Sequence, residues 1–338
     1  MTQATRWRRD CAQHRGSTAW SGGYTAVVRW PALLTTLLLA TGACGGPTVP
    51  FGSLEGEPSG DSTTTEGGEG STPECPQPLP PDWIFCEDFD AATDPASRFF
   101  EFDIDPAMEV VDTVGASGTS SLQVTHVLGE VGQSSVSVAF GRNPAVTDPD
   151  PPQPWPNEDF DEVFARVRLK MDEDWPDTGP GAFLVMAAYG SSDRGEASRL
   201  LLEALAPQFV ATPSTCVAPD GTLACSRDND PAQTPLTALE GRTPLFSTAY
   251  ADAWHCVEVH MKLNAPGGAD GLVEVWVDDV LEVSQAGLDW RGPWQDYGIN
   301  LFQIPSGGRR GDSPTVFRRW VDDVAIARSR IGCESPPR

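Results

Sequence analysis

Alternation of apolar and polar residues constrains this chain most, and it is clearest between Trp254 and Leu263. In the run "WHCVEVHMKL" the apolar Val257 and Val259 alternate with the polar Glu258 and His260. Successive side chains of a strand point to opposite faces, so this run needs one buried face and one wet face. It therefore predicts an antiparallel strand that places His260 in solvent.

Similar short runs recur from residue 83 to residue 327, and turn residues separate them. No segment keeps a helical period, whereas β-branched and aromatic residues are frequent. The run "AFLVMAAY" is apolar on both faces, which predicts a strand in the middle of a sheet. Together these runs predict an all-β domain, an antiparallel β-sandwich of two sheets that spans residues 81–333.

The chain begins with features of an exported protein. An apolar stretch at 31–43 follows Arg29 and is too short to span a bilayer, which is typical of a signal peptide at 1–43. Small residues precede Cys44, and this arrangement resembles the bacterial lipobox, in which the cysteine is acylated. The alternative is an ordinary signal peptide with a chance cysteine. Residues 1–26 are long and polar for such a signal, so we expect translation to start later, at Val27 or Val28.

The composition changes after the signal. Residues 44–80 are rich in Gly, Ser, Thr, Pro and Glu, so they predict a disordered linker behind a lipidated cysteine. Residues 334–338 form a short tail. The predicted location is the cell envelope, with the lipid of Cys44 in a membrane, most simply the outer membrane, or at the cell surface.

Six cysteines follow Cys44, and an even number in an exported chain predicts disulfides. In "CVAPDGTLAC" a Pro-Asp-Gly turn lies between Cys216 and Cys225, which predicts that these two pair. For the others we expect two further bridges, one joining Cys75 to Cys333 and one joining Cys86 to Cys256. Zinc is the alternative, but the chain has no C-x-x-C or Cys/His cluster.

Charge and missing motifs exclude several functions. The formal net charge of -25 repels nucleic acid and anionic headgroups, so no nucleic-acid partner is expected. The chain contains neither H-E-x-x-H nor G-x-S-x-G, so metalloprotease and esterase functions lack support. His255 lies among apolar positions, which predicts a packed and hydrogen-bonded side chain.

Three stretches, in this order, resemble one superfamily of folds. They are "SGTSSLQVT", "AWHCVEVHMKLNAPGGADGLVEVWVDDVLEV" and "FRRWVDDVAIA". Their order and spacing are similar to those of concanavalin A-like lectin and glucanase jelly rolls, nearest to the polysaccharide-lyase-like and laminin G-like members. The resemblance implies a jelly-roll β-sandwich. It does not imply an activity, because that group contains lectins, glycoside hydrolases, lyases and adhesion modules.

The active-site motifs of these relatives are incomplete here. The E-x-D-x-x-E strand of the glucanases is absent, and the acidic run "NEDFDE" has a different spacing. By resemblance to alginate lyases, Tyr189 takes the place of the histidine in Q-I-H, and Phe302 takes the place of a catalytic tyrosine. Phenylalanine cannot transfer a proton, which argues against the usual lyase mechanism. Tyr189 as a lone acid or base remains the alternative.

The resemblance also implies which residues meet a sugar. Those expected on the ligand-binding face are Tyr189, Arg199, Glu203, Asn300 and Phe302. Tryptophan faces stack on sugars, and three tryptophans lie in predicted loops: Trp155, Trp290 and Trp294. Tryptophans within predicted strands are expected in the core: Trp83, Trp254, Trp276 and Trp320.

Many relatives carry a structural calcium ion where the two ends of the domain meet. "FCEDFD" and "WVDDVA" are expected on neighbouring strands there, so the candidate ligands are Glu87, Asp88, Asp322 and Asp323. The alternative is acidic residues in water. The sequence "RGDSP" at 310–314 resembles an integrin-binding loop, which we attribute to chance.

We therefore expect a surface-anchored lipoprotein whose jelly roll binds a polysaccharide or cell-surface glycan without catalysis. Two alternatives stay open. One is a divergent polysaccharide lyase that acts on a uronate-containing polymer. The other is a structural or adhesive envelope protein with no sugar ligand.

Overall fold

The structure is a computed structural model. It describes residues 74–91, 94–104, 107–126, 134–147, 153–175, 181–225, 233–307 and 316–333. All of these belong to one compact unit, residues 67–338. The predicted signal peptide, Cys44, the "RGDSP" run and the tail lie outside the described residues. Within those residues, no helix has the length and apolar character needed to span a bilayer.

Two antiparallel sheets of eight strands each form the domain. The first sheet contains β1 (Trp83–Glu87), β3 (Met108–Val111), β4 (Ser121–His126), β6 (Glu162–Met171), β12 (Trp254–Lys262), β13 (Gly271–Val277), β14 (Val280–Leu288) and β16 (Phe317–Ala327). The second contains β2 (Glu101–Asp103), β5 (Ser135–Ala139), β7 (Gly181–Tyr189), β8 (Glu196–Leu205), β9 (Gln208–Thr215), β10 (Thr234–Pro235), β11 (Leu239–Glu240) and β15 (Leu301–Pro305). The helical structure of the described part is one 3-10 turn, Pro95–Ser97. The prediction of an all-β sandwich is confirmed.

The chain crosses between the two sheets several times, as in a jelly roll, although β7 to β11 all lie in the second sheet and β12 to β14 all lie in the first. The first sheet runs β14-β13-β12-β6-β16-β4-β3, with β1 beside β16. The second runs β10-β9-β8-β7-β15-β5-β2, with β11 beside β9. The apolar run "AFLVMAAY" forms β7, which lies between β8 and β15 as an interior strand, as predicted.

The core lies between the sheets and follows the predicted alternation. On β12, Val257, Val259 and Met261 are fully buried in the main apolar cluster. His260 lies on the opposite face of that strand, yet only 4% of its surface is exposed. Its ring stacks on Phe164 at 4.0 Å between centroids. The prediction of a solvent-exposed His260 is wrong, because long side chains of the neighbouring strands cover the outer face of the first sheet.

Both ends of the described chain pack against that outer face. Glu74 forms a buried ion pair with Arg166 of β6, at 2.7 Å. Glu258 of β12 accepts backbone hydrogen bonds from Ile331 at 2.6 Å and from Gly332 at 3.1 Å. Residues 74–80, which the composition assigned to the linker, therefore include a buried part of the folded domain.

Disulfides fasten the same two ends. The bridges are Cys75–Cys86, Cys216–Cys225 and Cys256–Cys333. The Cys216–Cys225 prediction is confirmed. The expected pairs Cys75–Cys333 and Cys86–Cys256 are wrong, because each end of the chain is joined to its own nearest strand, β1 or β12.

We expect the Cys256–Cys333 bridge to contribute most to stability, since it closes the longest loop, with a sequence separation of 77. Chain-entropy arguments give about 4.5 kcal/mol for that loop. The Cys216–Cys225 bridge, with a separation of 9, should contribute about 2.5 kcal/mol by the same argument. Urea unfolding of the C256A/C333A and C216A/C225A variants measures both losses. An equal or reversed order of the two losses would contradict this expectation.

Candidate functional site

The outer face of the second sheet carries an apolar strip. It is formed by Val185, Ala187 and Tyr189 on β7 and by Leu301 on β15, a cluster separate from the main core. Ala145, from the loop after β5, completes the cluster. No strand or helix of the described residues forms a further layer over this face, but the strip residues of β7 and β15 are at most 6% exposed, and Phe100 packs against them. We call this surface, with the polar groups on either side of it, the second-sheet face.

One polar group lies on the β8 and β9 side of the strip. Arg199 pairs with Glu196 at 3.3 Å, and the Gln233 amide donates to Glu196 at 2.5 Å. Ser214 in turn donates to the Gln233 oxygen at 2.8 Å. The buried Nε of Arg199 has no hydrogen-bond partner. The side chain of Arg199 is 31% exposed, so the guanidinium is accessible to a ligand.

A second polar group lies on the β5 and β2 side. Arg194 forms an ion pair with Glu101 of β2, and its guanidinium lies 5.2 Å from the ring centroid of Phe100. Ser137 donates to Glu101 at 3.4 Å. The Gln303 amide of β15 donates to Ser137 at 3.2 Å. Two arginines therefore flank the apolar strip, and each is held by a carboxylate.

Glu203 lies on the same face, on β8 opposite Ala182 of β7 and Val210 of β9. It forms no ion pair with any residue that the structure describes. Among the described residues of this face, three carboxylates, Glu101, Glu196 and Glu203, therefore outnumber the two arginines. The surface is slightly acidic, in keeping with the charge of the whole chain.

Asn300 supports the face without reaching a ligand. It is 1% exposed, and its Oδ1 accepts from the backbone N–H of Tyr189 at 2.8 Å. Its Nδ2 donates to the carbonyls of Tyr189 at 2.9 Å and Arg142 at 3.1 Å. The side chain is satisfied by backbone groups, so Asn300 positions Tyr189 rather than binding a sugar as expected.

Phe302 also lies elsewhere than the sequence predicted. It is fully buried in the main core, between the sheets. A shift of one residue moves a strand residue to the other face, and here the outward residues of β15 are Leu301 and Gln303. Phe302 therefore does not lie on the ligand-binding face as expected. The alternation along β15 could have indicated Gln303 as an outward residue, because it is the neighbour of Phe302. No local sequence pattern indicated Arg194 or Glu101 as residues of this face.

Two of the loop tryptophans are buried instead of forming a sugar platform. Trp290 is 0% exposed and lies against Gly271, where a Cβ would come within 2.3 Å of its ring. Trp294 is 4% exposed and packs against Ala188 and Ala197. Small residues on neighbouring strands make room for both rings.

Trp155 is 42% exposed, but it lies away from the second-sheet face. Its ring is covered by Arg328, directly after β16, at 4.4 Å from the centroid. Of the strand tryptophans, Trp276 and Trp320 are buried, but they lie on the outer face of the first sheet. There they stack with Arg330 and Lys170.

The four acidic residues suggested for calcium already have protein partners. Glu87 pairs with Arg98 at 2.8 Å, and Asp88 accepts from the backbone of Cys75 at 3.4 Å. Asp322 accepts from the N–H of Ala116 at 2.7 Å. Burial, and then the charge of neighbouring Asp323, raises the pKa of Asp322.

Asp323 pairs with Arg168 at 3.0 Å and accepts from the Ser117 hydroxyl at 2.6 Å. Strands β1 and β16 are neighbours, as expected from the sequence. Among the described residues, however, no group of three or more His, Cys, Asp or Glu side chains is arranged to hold a metal ion. The calcium prediction gains no support from this geometry.

None of the described histidines lies on the second-sheet face. His126 lies at the end of β4, and His260 on the outer face of the first sheet. His255 is packed and hydrogen-bonded, as predicted, between Asp278 at 2.8 Å and the Tyr250 carbonyl at 3.0 Å. The one phenol within the apolar strip belongs to Tyr189.

Comparisons with solved structures identify the fold. An alginate lyase from Chlorella virus has a TM-score of 0.51 at 11% identity, covering 73% of this chain and 100% of that one. An alginate lyase from Aplysia kurodai has a TM-score of 0.49 at 12% identity, covering 73% and 99%. An endo-β-1,4-glucuronan lyase from Trichoderma reesei has a TM-score of 0.47 at 17% identity, covering 73% and 96%.

No family model matches the chain, and no curated protein matches it either. At 11% identity the likeness to the viral lyase shows the fold alone. That fold is a jelly-roll β-sandwich like that of the viral alginate lyase, as the resemblance in the sequence predicted. The function has to be argued from the residues on the second-sheet face.

The His255–Asp278 pair predicts a pH-dependent stability. Burial lowers the pKa of His255, but the hydrogen bond and charge of Asp278 outweigh it, and the pKa ends above its ordinary value of 6.5. A raised histidine pKa adds stability that is complete below pH 6.5 and is lost as the pH rises through the folded value.

We therefore expect D278N to have a lower free energy of unfolding than the native protein. The difference should be largest below pH 6.5 and should decrease as the pH rises above it. Asparagine keeps the acceptor for the Cys256 N–H and tolerates the φ of 50° at residue 278. The control is D279N, since Asp279 has a φ of 63° and contacts no histidine among the described residues. Urea unfolding from pH 5 to pH 9 measures the difference. A stability difference for D278N that stays constant with pH would contradict it.

Proposed function

We propose that this protein is an envelope-anchored glycan-binding protein, and that the second-sheet face binds a polysaccharide. The observation that carries the proposal is the composition of that face. The apolar strip itself is buried, but two sets of hydrogen-bonding side chains lie on either side of it, and Arg194 and Arg199 within these sets are 23% and 31% exposed. Sugars present many hydroxyl groups, and these exposed donors and acceptors suit them.

The charges favour a neutral polysaccharide over a polyuronate. Arg194 and Arg199 are each neutralised by a carboxylate, and Glu203 adds a further negative charge. A polymer of uronates would meet net repulsion at this surface and from the chain as a whole. We expect the carboxylates and the Gln303 amide to accept from and donate to sugar hydroxyls.

The side chains argue for binding rather than for lyase chemistry. Proton removal next to a uronate carboxylate needs a base within reach and a group that stabilises the developing charge. The described part of the face has no histidine. The outward residues of β15 are Leu301 and Gln303, and neither side chain can remove a proton. A divergent lyase that uses Tyr189 is the second candidate, favoured by the place of that phenol within the strip.

Glycan-array binding of the purified full-length chain tests the proposal. We expect a neutral polysaccharide to bind, and R199A and E203A each to weaken binding about tenfold, since each removes hydrogen bonds made by a charged group. The matched controls are R318A and E109A, which change exposed residues of the first sheet and should bind like the native protein. Binding that is equally weakened by the controls, or an array without any bound glycan, would contradict the proposal.

The same preparation distinguishes the lyase candidate. Incubation with alginate and with glucuronan should leave the ultraviolet absorbance unchanged if the protein only binds. A lyase would create unsaturated ends that absorb in the ultraviolet. A rise in absorbance that is lost in Y189F would replace the binding proposal with the lyase one.

The anchoring part of the proposal rests on the sequence around Cys44. We expect the protein to incorporate radiolabelled palmitate in bacterial cells and to sediment with membranes. The C44A variant should lose the label and appear in a soluble fraction, because acyl chains supply the membrane affinity. Sedimentation of an unlabelled native protein would show that Cys44 is not acylated.

A further inference from the structure

The core between the sheets contains an arginine. Arg319 lies on β16, opposite Val124 of β4 and Met171 of β6, and it is 0% exposed. Its neighbours on the inward side of β16, Phe317 and Val321, belong to the main apolar cluster. Arginine is almost never fully buried unless it is paired. A guanidinium in this position therefore requires partners that balance its charge and accept from its N–H groups.

The guanidinium of Arg319 is mostly unpartnered. Its Nη2 donates to the carbonyl of Pro305, at the end of β15. Its Nε and Nη1 have no hydrogen-bond partner, and no carboxylate of the described residues lies within ion-pair distance. Burial lowers the pKa of Arg319 to about 9, so the group is still a cation at neutral pH. A buried cation without a counter-charge strongly destabilises a fold.

Three more unpartnered polar atoms lie in the same end of the core. They are Nε2 of His126, Nε1 of Trp175 and Oγ of Ser134, each buried and without a hydrogen-bond partner. We call these three side chains and Arg319 the core donor cluster.

Ring contacts and backbone bonds place these residues together. His126 stacks on Phe317 at 4.9 Å and meets the edge of Trp175 at 6.0 Å between centroids. Phe317 is two residues from Arg319 on the same side of β16. The Ser134 carbonyl accepts from the N–H of Ser306 at 2.8 Å, next to the Pro305 carbonyl that Arg319 contacts.

All of these groups can donate hydrogen bonds, and the charge among them is positive. Burial, and then the charge of Arg319, lowers the pKa of His126 to about 3, so its imidazole is neutral at physiological pH. The indole N–H can only donate, and the serine hydroxyl and the neutral imidazole are each able to donate. The cluster thus offers hydrogen-bond donors and one unbalanced cation, and the described residues supply no anion.

We propose that the core donor cluster is an internal binding site for a small monovalent inorganic anion, with chloride the expected occupant. Such an ion accepts from several donors at once and neutralises Arg319. A water molecule would satisfy donors but leave the charge unbalanced. Arg319, Trp175 and Ser134 are at most 2% exposed, which favours a small ion over a larger ligand. The site is separate from the second-sheet face and does not depend on the proposed glycan function.

Thermal unfolding of the full chain tests the site. The unfolding midpoint is measured in sodium chloride and in sodium gluconate at matched ionic strength, over a range of concentrations. A ligand that binds the folded state alone raises the midpoint in a saturable way. We expect such a rise with chloride and not with gluconate. Equal midpoints in the two salts at every concentration would overturn the proposal.

Two variants separate anion binding from packing. W175F keeps an aromatic ring but removes one donor, so we expect the chloride concentration for half of the effect to rise severalfold. The control is W290F, because Trp290 is also fully buried and its Nε1 also has no partner, elsewhere in the core. W290F should keep the native chloride response. An identical response of W175F and W290F would contradict the assignment.

Diffraction from native crystals grown in bromide provides a measurement that needs no variant. We expect an anomalous peak within hydrogen-bond distance of the Arg319 Nε. Ordered water at that position, without an anomalous signal, would replace the anion with solvent and overturn the proposal. We also expect R319M to lose the chloride effect. If R319M does not fold, the bromide experiment still tests the proposal, because it uses the native protein.

Discussion

The rest of the structure depends on the face-to-face packing of two antiparallel sheets. Every strand must give one set of alternate side chains to the shared core, and this fixes the direction of every other residue. The constraint puts Val257 and Val259 inside and His260 outside. It also puts Phe302 inside and leaves Gln303 on the second-sheet face. The side chains that fill the core thus determine which side chains remain on the candidate binding surface.

The two outer faces then differ in what covers them. Both ends of the domain fold over the first sheet, where buried ion pairs such as Glu74–Arg166 and the Cys256–Cys333 bridge hold them. Acidic and basic side chains are used there for internal contacts. On the second sheet, loop residues such as Ala145 and Phe100 pack against the apolar strip, whereas polar side chains such as Arg199 stay partly exposed beside it. This asymmetry leaves polar groups of one face accessible to a ligand, and it explains why acidic residues near the chain ends have protein partners.

Local patterns predicted what depends on local physics. The alternating runs gave the sandwich, the doubly apolar run gave the interior strand β7, and a short turn gave Cys216–Cys225. The failures involve contacts between distant segments. His260 is buried because Phe164 and Trp276 of adjacent strands cover it. Trp290 is buried because Gly271, on another strand, leaves room for its ring. No pattern within either segment contains that information.

The sequence by itself determined an acidic all-β chain with alternating strands, because the period of two and the composition are properties of neighbouring residues. Tertiary structure alone decided which face of each sheet is covered, how Cys75, Cys86, Cys256 and Cys333 pair, and that Arg319 lies in the core without a counter-charge from the described residues. Those outcomes depend on strand order and register, which bring together residues as far apart in sequence as 246 positions, as in the bond from the Arg328 N–H to the Asp82 carbonyl. Long-range pairing, rather than local preference, therefore selects the groups that can meet a ligand.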